Sequence, residues 1–476
     1  MFESSRYNFM LPMADGALLY SAKSGAVLQL SGRDGKSLGK RVSGIPRRIS
    51  GRNIPSAVLH QLISGGFVVT AESDELKEIR DRFLHARSSA PIVITITTTL
   101  DCNLGCYYCY EERSGEALDL ADLDNLLLFI RERLQRSDKK SLHVDWYGGE
   151  PLLNQKFIDE ASVRIQALCA DRAVSYAASI ISNGTCWPPD VEDFVARNKV
   201  RQVQISFDGL KPNHDRRRRY RSKTDRTAGR SSFYEAVSLV DRLVNVVRVD
   251  LRFNIDKRNS GDFLEFFSFA ELRGWFCAEY PAVIQPARIS SYSERSNFLR
   301  KDEITVDEFS AMRRALAARF RDRAKIEESE APDGFPYPKT SVCAALAPDS
   351  AVLGADKKIY RCGLQVSEPM RSTGELSSPR FKGIPIYLAT QPKTNTENQS
   401  EWWATFDPTL LPTCAKCSFL PICWAGCPKK HLDGDHHAIA EQGRFWRSNL
   451  SRLIVNTFPD AGAQAVDFTL SDQFRD

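Results

Sequence analysis

The stretch IVITITTTLDCNLGCYYC, residues 92–109, decides the fold of this 476-residue chain. It begins with Ile92 to Thr97, a run of β-branched residues that predicts a strand. Three cysteines follow within eight residues, at Cys102, Cys106 and Cys109. We therefore expect three thiols on one loop at the carboxyl end of a strand, where they can hold three corners of one metal centre.

Strand-like and helical segments alternate from about residue 90 to residue 290. Five more strands are predicted, at Leu142 to Tyr147, Tyr176 to Ile181, Val203 to Phe207, Val247 to Phe253 and Val283 to Gln285. Helical periodicity separates them, for example at Leu118 to Leu134, Phe157 to Leu168 and Phe233 to Val246. This order is typical of an α/β fold with a parallel sheet, in which ligands bind at the carboxyl ends of the strands.

Polar signatures fall at those strand ends. They are Asp101-Cys102, Gly148-Gly149-Glu150, Ser182-Asn183 and Ser206-Phe207-Asp208. Asp208, Asp250 and Asp256 are carboxylate candidates for acid/base work, and the sequence does not discriminate among them. The sequence therefore places its candidate site at one edge of the sheet.

The composition favours a folded protein and argues against a nucleic-acid-binding or membrane-spanning one. Apolar residues make up 42% and charged residues 26%, as in an ordinary folded protein. A net charge of +5 is too weak to favour nucleic acid as a partner, and no apolar run reaches the ~20 residues of a membrane span. The amino-terminal residues carry no secretory pattern, so we expect a cytoplasmic protein without a membrane partner. In that reducing environment, clustered cysteines favour metal or redox chemistry over disulfides.

A second group of cysteines lies near the carboxyl terminus. It comprises Cys343, Cys362, Cys414, Cys417, Cys423 and Cys427. Strand signals there are few, so residues 341–450 predict a small metal-stapled domain. The polar stretch Thr373 to Gln399 predicts a loop.

Residues 1–85 predict a separate small domain. Two short apolar runs flank Lys23-Ser24-Gly25 and predict a hairpin. A helix follows at Ile54 to Ile63, then a strand at Phe67 to Thr70. Hairpin, helix and strand together predict a winged-helix-like unit.

Two metal centres are compatible with the first cysteine trio. A zinc ion would need a fourth ligand from elsewhere in the chain. A [4Fe–4S] cluster held by three cysteines keeps one iron open to bind a further molecule.

The trio, with Tyr108 before its third cysteine, resembles the signature of radical S-adenosylmethionine (SAM) enzymes. That resemblance implies a partial barrel of six strand–helix units with a SAM-binding [4Fe–4S] cluster. By the same resemblance, Gly148, Gly149 and Glu150 would meet the SAM amino group, and Ser182 and Asn183 its ribose or carboxylate. Further cofactor or substrate contacts are expected at Ser206, Asp208 and Asn254.

The Cys414–Cys427 string resembles the SPASM extension, which houses auxiliary iron–sulfur clusters. The resemblance implies one cluster on Cys343, Cys362 and Cys427 and another on Cys414, Cys417 and Cys423. That family usually has one more cysteine after the string, and none follows Cys427. The candidates for the missing ligand are His431, Asp433, Asp435, His436 and His437. Alternatively, these five residues are solvated loop residues. The second cluster would then have an open iron or be absent, or the six cysteines would bind zinc in place of iron.

The first 85 residues resemble the peptide-recognition domain of ribosomal-peptide maturases, which adds a leader peptide as a strand to a sheet edge. A DNA-binding winged helix is the alternative, and Arg41, Arg47, Arg48 and Arg52 would suit it. A further basic run, Arg216 to Arg219 with Arg221, is typical of a solvated face, or could dock an acidic peptide or the SAM carboxylate.

Five segments are therefore expected: a recognition domain (1–85), a radical SAM barrel (90–290), a bridging segment (291–340), an auxiliary-cluster domain (341–450) and a tail (451–476). The resemblance implies an enzyme that forms a carbon–carbon or thioether crosslink in a precursor peptide. It would draw electrons from a donor such as flavodoxin or ferredoxin. A sulfatase-maturase-like oxidation of Cys or Ser, or a non-catalytic metal or redox module, are the alternatives.

Overall fold

The computed structural model describes residues 2–221, 229–291, 294–320, 322–326, 334–376 and 399–474, which form two compact units. Within these ranges the terminal unit contains residues 2–90, 334–343 and 399–474. The barrel unit contains residues 91–326 and 344–376. This grouping differs from the division predicted at residues 85, 340 and 450.

The amino-terminal part of the terminal unit has two three-stranded sheets and three helices. Its elements are β1 (Phe2–Ser4), β2 (Asn8–Met13), β3 (Gly16–Ser21), β4 (Val27–Leu30), α1 (Gly32–Val42), β5 (Arg48–Ile49), α2 (Ser56–Ser64), β6 (Val68–Thr70) and α3 (Glu75–Ser89). The sheets have the orders β2-β3-β4 and β5-β1-β6. The predicted hairpin, helix and strand are confirmed as β3–β4, α2 and β6, and Leu19, Leu62 and Phe67 are buried in their common core.

The barrel unit is built on one ten-stranded sheet. Its elements are β7 (Ile92–Thr99), α4 (Leu123–Arg136), β8 (Ser141–Gly148), α5 (Gln155–Ala170), β9 (Ser175–Ser182), α6 (Val191–Arg197), β10 (Val200–Phe207), α7 (Lys211–Arg217), α8 (Ser232–Leu243), β11 (Arg248–Ile255), α9 (Phe263–Leu272), β12 (Val283–Arg288), α10 (Val306–Phe320), β13 (Lys325–Ile326), β14 (Ala351–Leu353), β15 (Lys358–Tyr360) and β16 (Gly374–Glu375). The strand order is β13-β12-β11-β10-β9-β8-β7-β14-β15-β16.

The six predicted strands are confirmed as β7 to β12, and each pairs in parallel with its neighbour. Their residues alternate in environment, as a sheet covered by helices on one face requires. In β8, Leu142, Val144 and Trp146 are buried in the main core, whereas His143 and Asp145 are only half-buried. The predicted α/β class with a parallel barrel sheet is confirmed.

β14 pairs in parallel with β7, and β15 and β16 continue the sheet as antiparallel strands. This pairing explains why residues 344–376 belong to the barrel unit, although the sequence placed them with the carboxyl-terminal cysteines. Residues 377–398 of the predicted polar loop lie outside the described residues.

The carboxyl-terminal part of the terminal unit is helical. Its elements are α11 (Gln399–Thr405), α12 (Pro412–Ala415), α13 (Leu420–Cys423), α14 (Pro428–Leu432), α15 (His436–Thr457) and α16 (Leu470–Gln473). Asp435 caps α15, and Trp446, Leu450 and Ile454 are buried on one face of that helix. The predicted boundary at residue 450 falls inside α15, and the division into domains stays a prediction.

Two sets of contacts hold the ends of the chain together in the terminal unit. The Phe9 ring stacks on Phe419 with 4.9 Å between centroids. The buried Arg87 guanidinium of α3 donates to the carbonyls of Trp403, Ala404 and Phe406 at 2.9–3.2 Å, at the end of α11. These carbonyls are the groups that a helix leaves without partners at its carboxyl end, so Arg87 caps α11. In the described ranges no helix combines the length and the apolar character needed to cross a membrane.

Candidate active site

The cysteine loop follows β7 directly and is held by backbone pairing with the segment after α7. The Gly105 amide donates to the Arg219 carbonyl at 2.7 Å, and the Arg221 amide donates to the Asn103 carbonyl at 3.0 Å. Leu104, between them, is fully buried. The loop that carries the thiols is therefore held in place by backbone hydrogen bonds and by the buried side chain of Leu104.

The three thiols lie close enough for each charge to affect the next. The pKa of Cys102 is raised to about 12 and that of Cys109 to about 11, chiefly by burial, and the charge of Cys106 contributes to both rises. Thiols whose pKa is raised in this way become thiolates near neutral pH only when a cation takes the place of the proton, as on metal binding. The trio therefore has the chemistry of a set of metal ligands.

In the part of the chain that the structure describes, no three His, Cys, Asp or Glu side chains converge as the ligands of one ion do. Ligands of a cluster bind different metal atoms, so they need not converge on one point. The absence of such a group among the described residues is therefore compatible with cluster ligands at Cys102, Cys106 and Cys109.

Gly148 and Gly149 tie the end of β8 to the cysteine loop. The Gly149 amide donates to the Thr99 carbonyl at 3.0 Å, and the Glu150 amide donates to the Asp101 carbonyl at 2.9 Å. A Cβ on Gly149 would lie 2.3 Å from the Asp101 oxygen, so only glycine permits this approach. The two glycines thereby bring Glu150 beside the loop.

The Glu150 carboxylate is fully buried at the ends of β8 and β9. It accepts hydrogen bonds from the Ser182 hydroxyl at 3.0 Å, the Asn183 amide at 2.7 Å and the Leu152 amide at 3.2 Å. Burial raises the pKa of Glu150 to about 7, although these hydrogen bonds oppose the rise. The pKa of the Glu150 carboxyl is thus close to neutral pH.

Asn183 joins this carboxylate to the first cysteine. Its side-chain amide lies 3.7 Å from the Cys102 sulfur and donates to Asn103 Oδ1 at 2.8 Å. The structure therefore brings together Cys102, Glu150, Ser182 and Asn183, which the sequence predicted as one site. Trp187 Nε1 also donates to Ser182 Oγ at 3.1 Å, a contact that no sequence pattern indicated.

A second polar cluster surrounds Tyr108. Its hydroxyl donates to Asp208 at 2.7 Å and accepts from Arg218 at 2.7 Å and from Asn254 at 3.4 Å. Arg217 joins Asp208, at 2.9 Å, to Asp256, at 3.0 Å. Tyr108, Asp208 and Asn254 are thus predicted site residues that the structure also places together.

Arg217 and Arg218 are buried, so for these two residues the expectation of a solvated basic face is wrong. Burial alone would lower the pKa of Arg217, but the carboxylates of Asp208 and Asp256 raise it above its usual value. Arg216 and Arg219 are exposed, as predicted. Two members of the run therefore belong to the interior of the site.

The remaining predicted residues of the barrel unit lie along the sheet. Ser206 lies on β10 opposite Arg252 of β11. Asp250, near the amino end of β11, accepts from Arg248 at 2.8 Å. Asp250 is therefore separated along its strand from the site, whereas Asp208 and Asp256 lie in the cluster around Arg217.

A cavity of about 620 Å³ opens beside the cysteine loop. Cys102, Asn103, Thr185 and Arg230 are among its lining residues. Ligand pockets in proteins commonly have this volume, so the space can admit a molecule the size of a nucleoside derivative.

A separate cavity of about 300 Å³ in the terminal unit is lined by Cys414, Cys417 and Cys423. Burial raises the pKa of Cys414 and of Cys417 to about 12, and the neighbouring thiol of Cys423 adds to the rise. Of the five candidates for an additional ligand, His431 and His436 line this cavity.

The other candidates are engaged elsewhere or exposed. Asp433 pairs with Lys429, and Asp435 pairs with Lys430 and caps α15. His437 is exposed. Cys343 and Cys427 are exposed residues of the terminal unit, and Cys362 follows β15 in the barrel unit. A cluster on Cys343, Cys362 and Cys427 stays a prediction.

Comparison with known proteins yields one family match and several relatives. The sequence model of the Radical SAM superfamily matches residues 96–270. A serine-type anaerobic sulfatase-maturating enzyme of Klebsiella pneumoniae is 33% identical over 86 residues, which cover 18% of this chain and 22% of that protein. The chain thus spans about a fifth of that relative's length. The radical SAM cyclopropyl synthase TigE of Paramaledivibacter caminithermalis is 22% identical over 176 residues, which cover 33% of this chain and 36% of TigE.

Among solved structures, anSMEcpe with bound AdoMet and the Cp18Cys peptide is similar in fold. It superposes with a TM-score of 0.54 at 16% identity, covering 78% of this chain and 100% of that one. This likeness concerns the fold alone.

Proposed function

We propose, from the radical SAM domain that residues 96–270 carry, that this chain is an enzyme that starts a radical reaction on a peptide. The observation that carries the proposal is the meeting of the three-cysteine loop with Glu150 and Asn183 at the carboxyl ends of β8 and β9. Cys102, Cys106 and Cys109 would hold a [4Fe–4S] cluster. Such a cluster, when bound, supplies the electron that cleaves SAM to methionine and a 5′-deoxyadenosyl radical.

The chain's own residues would bind and orient SAM beside this loop. Gly148, Gly149 and Glu150 present backbone and carboxylate oxygens for the SAM amino group, whose positive charge would offset the cost of burying Glu150. Ser182 and Asn183 provide a hydroxyl and an amide for its ribose or carboxylate. Tyr108, Asp208, Asn254 and Ser206 complete the set of proposed contacts.

The reaction we propose is an intrapeptide crosslink, either carbon–carbon or thioether. The radical takes one hydrogen atom from an unactivated carbon of the peptide and leaves as 5′-deoxyadenosine. The peptide radical forms the new bond, and the peptide gives up one proton to solvent and one electron to an acceptor. Auxiliary iron–sulfur clusters would supply that acceptor. The peptide therefore loses two hydrogen atoms in all.

The terminal unit supports a peptide substrate. Within the described residues β4 pairs with β3 alone, so it is an edge strand to which an extended peptide can add. Beside it lies a cavity of about 350 Å³ with Val27, Phe335, Tyr337 and Phe458 in its lining. We place the precursor peptide along this edge, with side chains in the aromatic cavity. The solved anSMEcpe structure also contains a peptide.

A sulfatase-maturase-like oxidation of a Cys or Ser side chain is the second candidate. It is favoured by the 33% identity to the Klebsiella pneumoniae enzyme, although that match covers only 86 residues. Both candidates need an external electron donor, for which we propose a flavodoxin or a ferredoxin. Clustered cysteines suit metal or redox chemistry in a reducing compartment, so we also place the protein in the cytoplasm.

Mass spectrometry of a precursor peptide co-expressed with this chain tests the proposal. A crosslink removes two hydrogen atoms and suppresses fragmentation between the joined residues. Oxidation of Cys or Ser to an aldehyde instead leaves a product that reacts with carbonyl reagents. An unchanged peptide mass with an inverted stereocentre would contradict both candidates.

The peptide site has its own test in Tyr337→Ala. Tyr337 lines the cavity beside β4, and loss of a ring at a binding site commonly costs about 1.4 kcal/mol or more, equal to a tenfold loss of affinity. We expect weaker binding of the precursor with unchanged cleavage of SAM in the absence of peptide. Glu72→Ala, on the exposed surface of the same unit, is the matched control.

A further inference from the structure

Three thiols around the cavity of the terminal unit leave a four-iron cluster one protein ligand short. Cys414 lies in α12, and Cys423 ends α13. With Cys417 they face the same space of about 300 Å³. The sequence after Cys427 contains no cysteine that could complete the set.

His431 lies on the wall of this cavity, and its hydrogen bond fixes which ring nitrogen can bind a metal. Its ring lines the cavity, and its Nε2 lies 2.9 Å from the Ala425 carbonyl oxygen. A carbonyl can only accept a hydrogen bond, so Nε2 carries the proton and Nδ1 carries the lone pair. Metal-binding histidines commonly donate their second ring nitrogen to a carbonyl in this way, which fixes the tautomer.

The backbone around Ala425 supports this assignment. Trp424 and Ala425 both adopt positive φ angles, 46° and 64°, and Gly426 follows at 69°. Two consecutive non-glycine residues in the left-handed region are unusual and strained, and such strain is concentrated at functional sites. This turn joins Cys423 to Cys427 and directs the Ala425 carbonyl to His431.

His436, the alternative ring on the cavity wall, lacks these features. It is exposed at the first turn of α15, whereas His431 is half-buried and contacts the Phe406 ring at 5.8 Å between centroids. Asp433 and Asp435 are held by Lys429 and Lys430. One candidate of the five therefore combines a cavity position with a fixed tautomer.

We propose that His431, through Nδ1, is the fourth ligand of an auxiliary iron–sulfur cluster held by Cys414, Cys417 and Cys423. This inference rests on the auxiliary-cluster part of the proposed function. A neutral imidazole in place of a thiolate removes one negative charge from the cluster. As in other histidine-ligated clusters, this raises the reduction potential, which suits a group that accepts an electron from a peptide radical.

The test uses the full chain carrying Cys102→Ala, Cys106→Ala and Cys109→Ala, so that auxiliary iron alone is observed. The protein is labelled with 15N-histidine, reconstituted without oxygen, reduced and studied by pulsed electron paramagnetic resonance. We expect a strong coupling between the cluster and one histidine nitrogen. It should persist in His436→Ala and His437→Ala and disappear in His431→Ala.

His431→Cys serves as a second variant, because loss of the ring alone could disturb folding. It should retain its iron, lose the nitrogen coupling and show a lower reduction potential in a redox titration. Coupling that survives in His431→Ala, or that disappears in His436→Ala, would overturn the assignment.

Failure of the auxiliary-cluster proposal itself has a different signature. Zinc in place of iron, or no iron at all, in this triple variant would contradict that proposal and with it the ligand. The SAM cleavage proposed for the unaltered chain would be untouched by such a result, since it depends on the other cysteine trio.

Discussion

The two cysteine trios share a residue type but not an environment. Around Cys102, Cys106 and Cys109 lie charged and amide groups, including Glu150, Asn183 and Arg218. Around Cys414, Cys417 and Cys423 the lining is mostly apolar, with Phe419, Leu420 and Trp446, and it also includes two imidazole rings, one arginine and two glutamines. A polar surround suits a cluster that binds a charged, zwitterionic molecule. An apolar surround suits a cluster whose task is to exchange electrons.

The largest difference is expected when one cysteine of each trio is removed. Cys106→Ala should abolish 5′-deoxyadenosine formation, because the open iron that binds SAM requires all three thiolates. Cys417→Ala should keep SAM cleavage and lose the modified peptide. Chromatography of 5′-deoxyadenosine and mass spectrometry of the peptide measure the two outputs. The comparison fails if both variants lose SAM cleavage equally while each retains its other iron.

Substitution of Arg217 removes ion pairs from the charged groups around the first cysteine trio. Its side chain is 3% exposed and pairs with two carboxylates, so Arg217→Met removes the cation that pairs with Asp256 and leaves Asp208 with Arg218 at 3.4 Å. Removing one partner of a buried ion pair typically costs about 3–5 kcal/mol of unfolding free energy. Urea unfolding of the metal-free chain measures it. Arg216→Met, one position earlier and exposed, should change the unfolding free energy by less than about 0.5 kcal/mol. Equal stability of the two variants would contradict the assigned role of Arg217.

The buried carboxyl of Glu150, near Cys102, should make the unfolding free energy depend on pH. Unfolded Glu150 has its ordinary pKa of 4.5, whereas burial raises the pKa of the folded group to about 7. Between these values the folded state binds more protons, so the unfolding free energy of metal-free protein falls as the pH rises. At 1.36 kcal/mol for each pH unit the fall is about 3 kcal/mol. Glu150→Gln should remove this part of the slope in urea unfolding.

Part of the slope should remain in that variant, because burial also raises the pKa of Glu111 to about 7. Glu150→Gln combined with Glu111→Gln should therefore flatten the pH dependence between pH 4.5 and 7 further. An unchanged slope in both variants would show that these carboxyls are ionised in the folded protein.

The smallest effect is expected at the rim of the second trio. His437 is exposed, and we assign it no ligand role. His437→Ala should leave the iron content unchanged and shift the unfolding free energy by less than about 0.5 kcal/mol. Iron analysis beside His431→Ala measures the difference. A loss of iron from His437→Ala would mean that the cavity is completed from another side.

The parallel sheet could be predicted from sequence because its strands are apolar runs with polar residues at their carboxyl ends. Helix α1 could not, since Gly32, Gly35 and Gly39 lower its helical propensity. The structure explains them, because a Cβ on Gly35 would lie 2.7 Å from the Leu30 backbone. Close packing of α1 on the neighbouring strands thus overrides local preference, and a single sequence does not record packing of that kind.

The residues of the candidate site also fall into those that could be predicted from sequence and those that could not. Cys102, Glu150 and Asn183 were predictable because they follow strand ends. Arg217 and Arg218 were not, because a run of arginines has the same composition whether it faces solvent or carboxylates. Their partners Asp208 and Asp256 lie 9 and 39 residues away from Arg217, so only the fold brings the charges together.

The most direct measurement of the proposed reaction is the release of 5′-deoxyadenosine and methionine from SAM by the anaerobically reconstituted, reduced protein. The proposed reaction yields both products in equal amounts, with iron in the chain and with no release from Cys102→Ala. Zinc bound at Cys102, Cys106 and Cys109, with SAM left intact under reducing conditions, would contradict it.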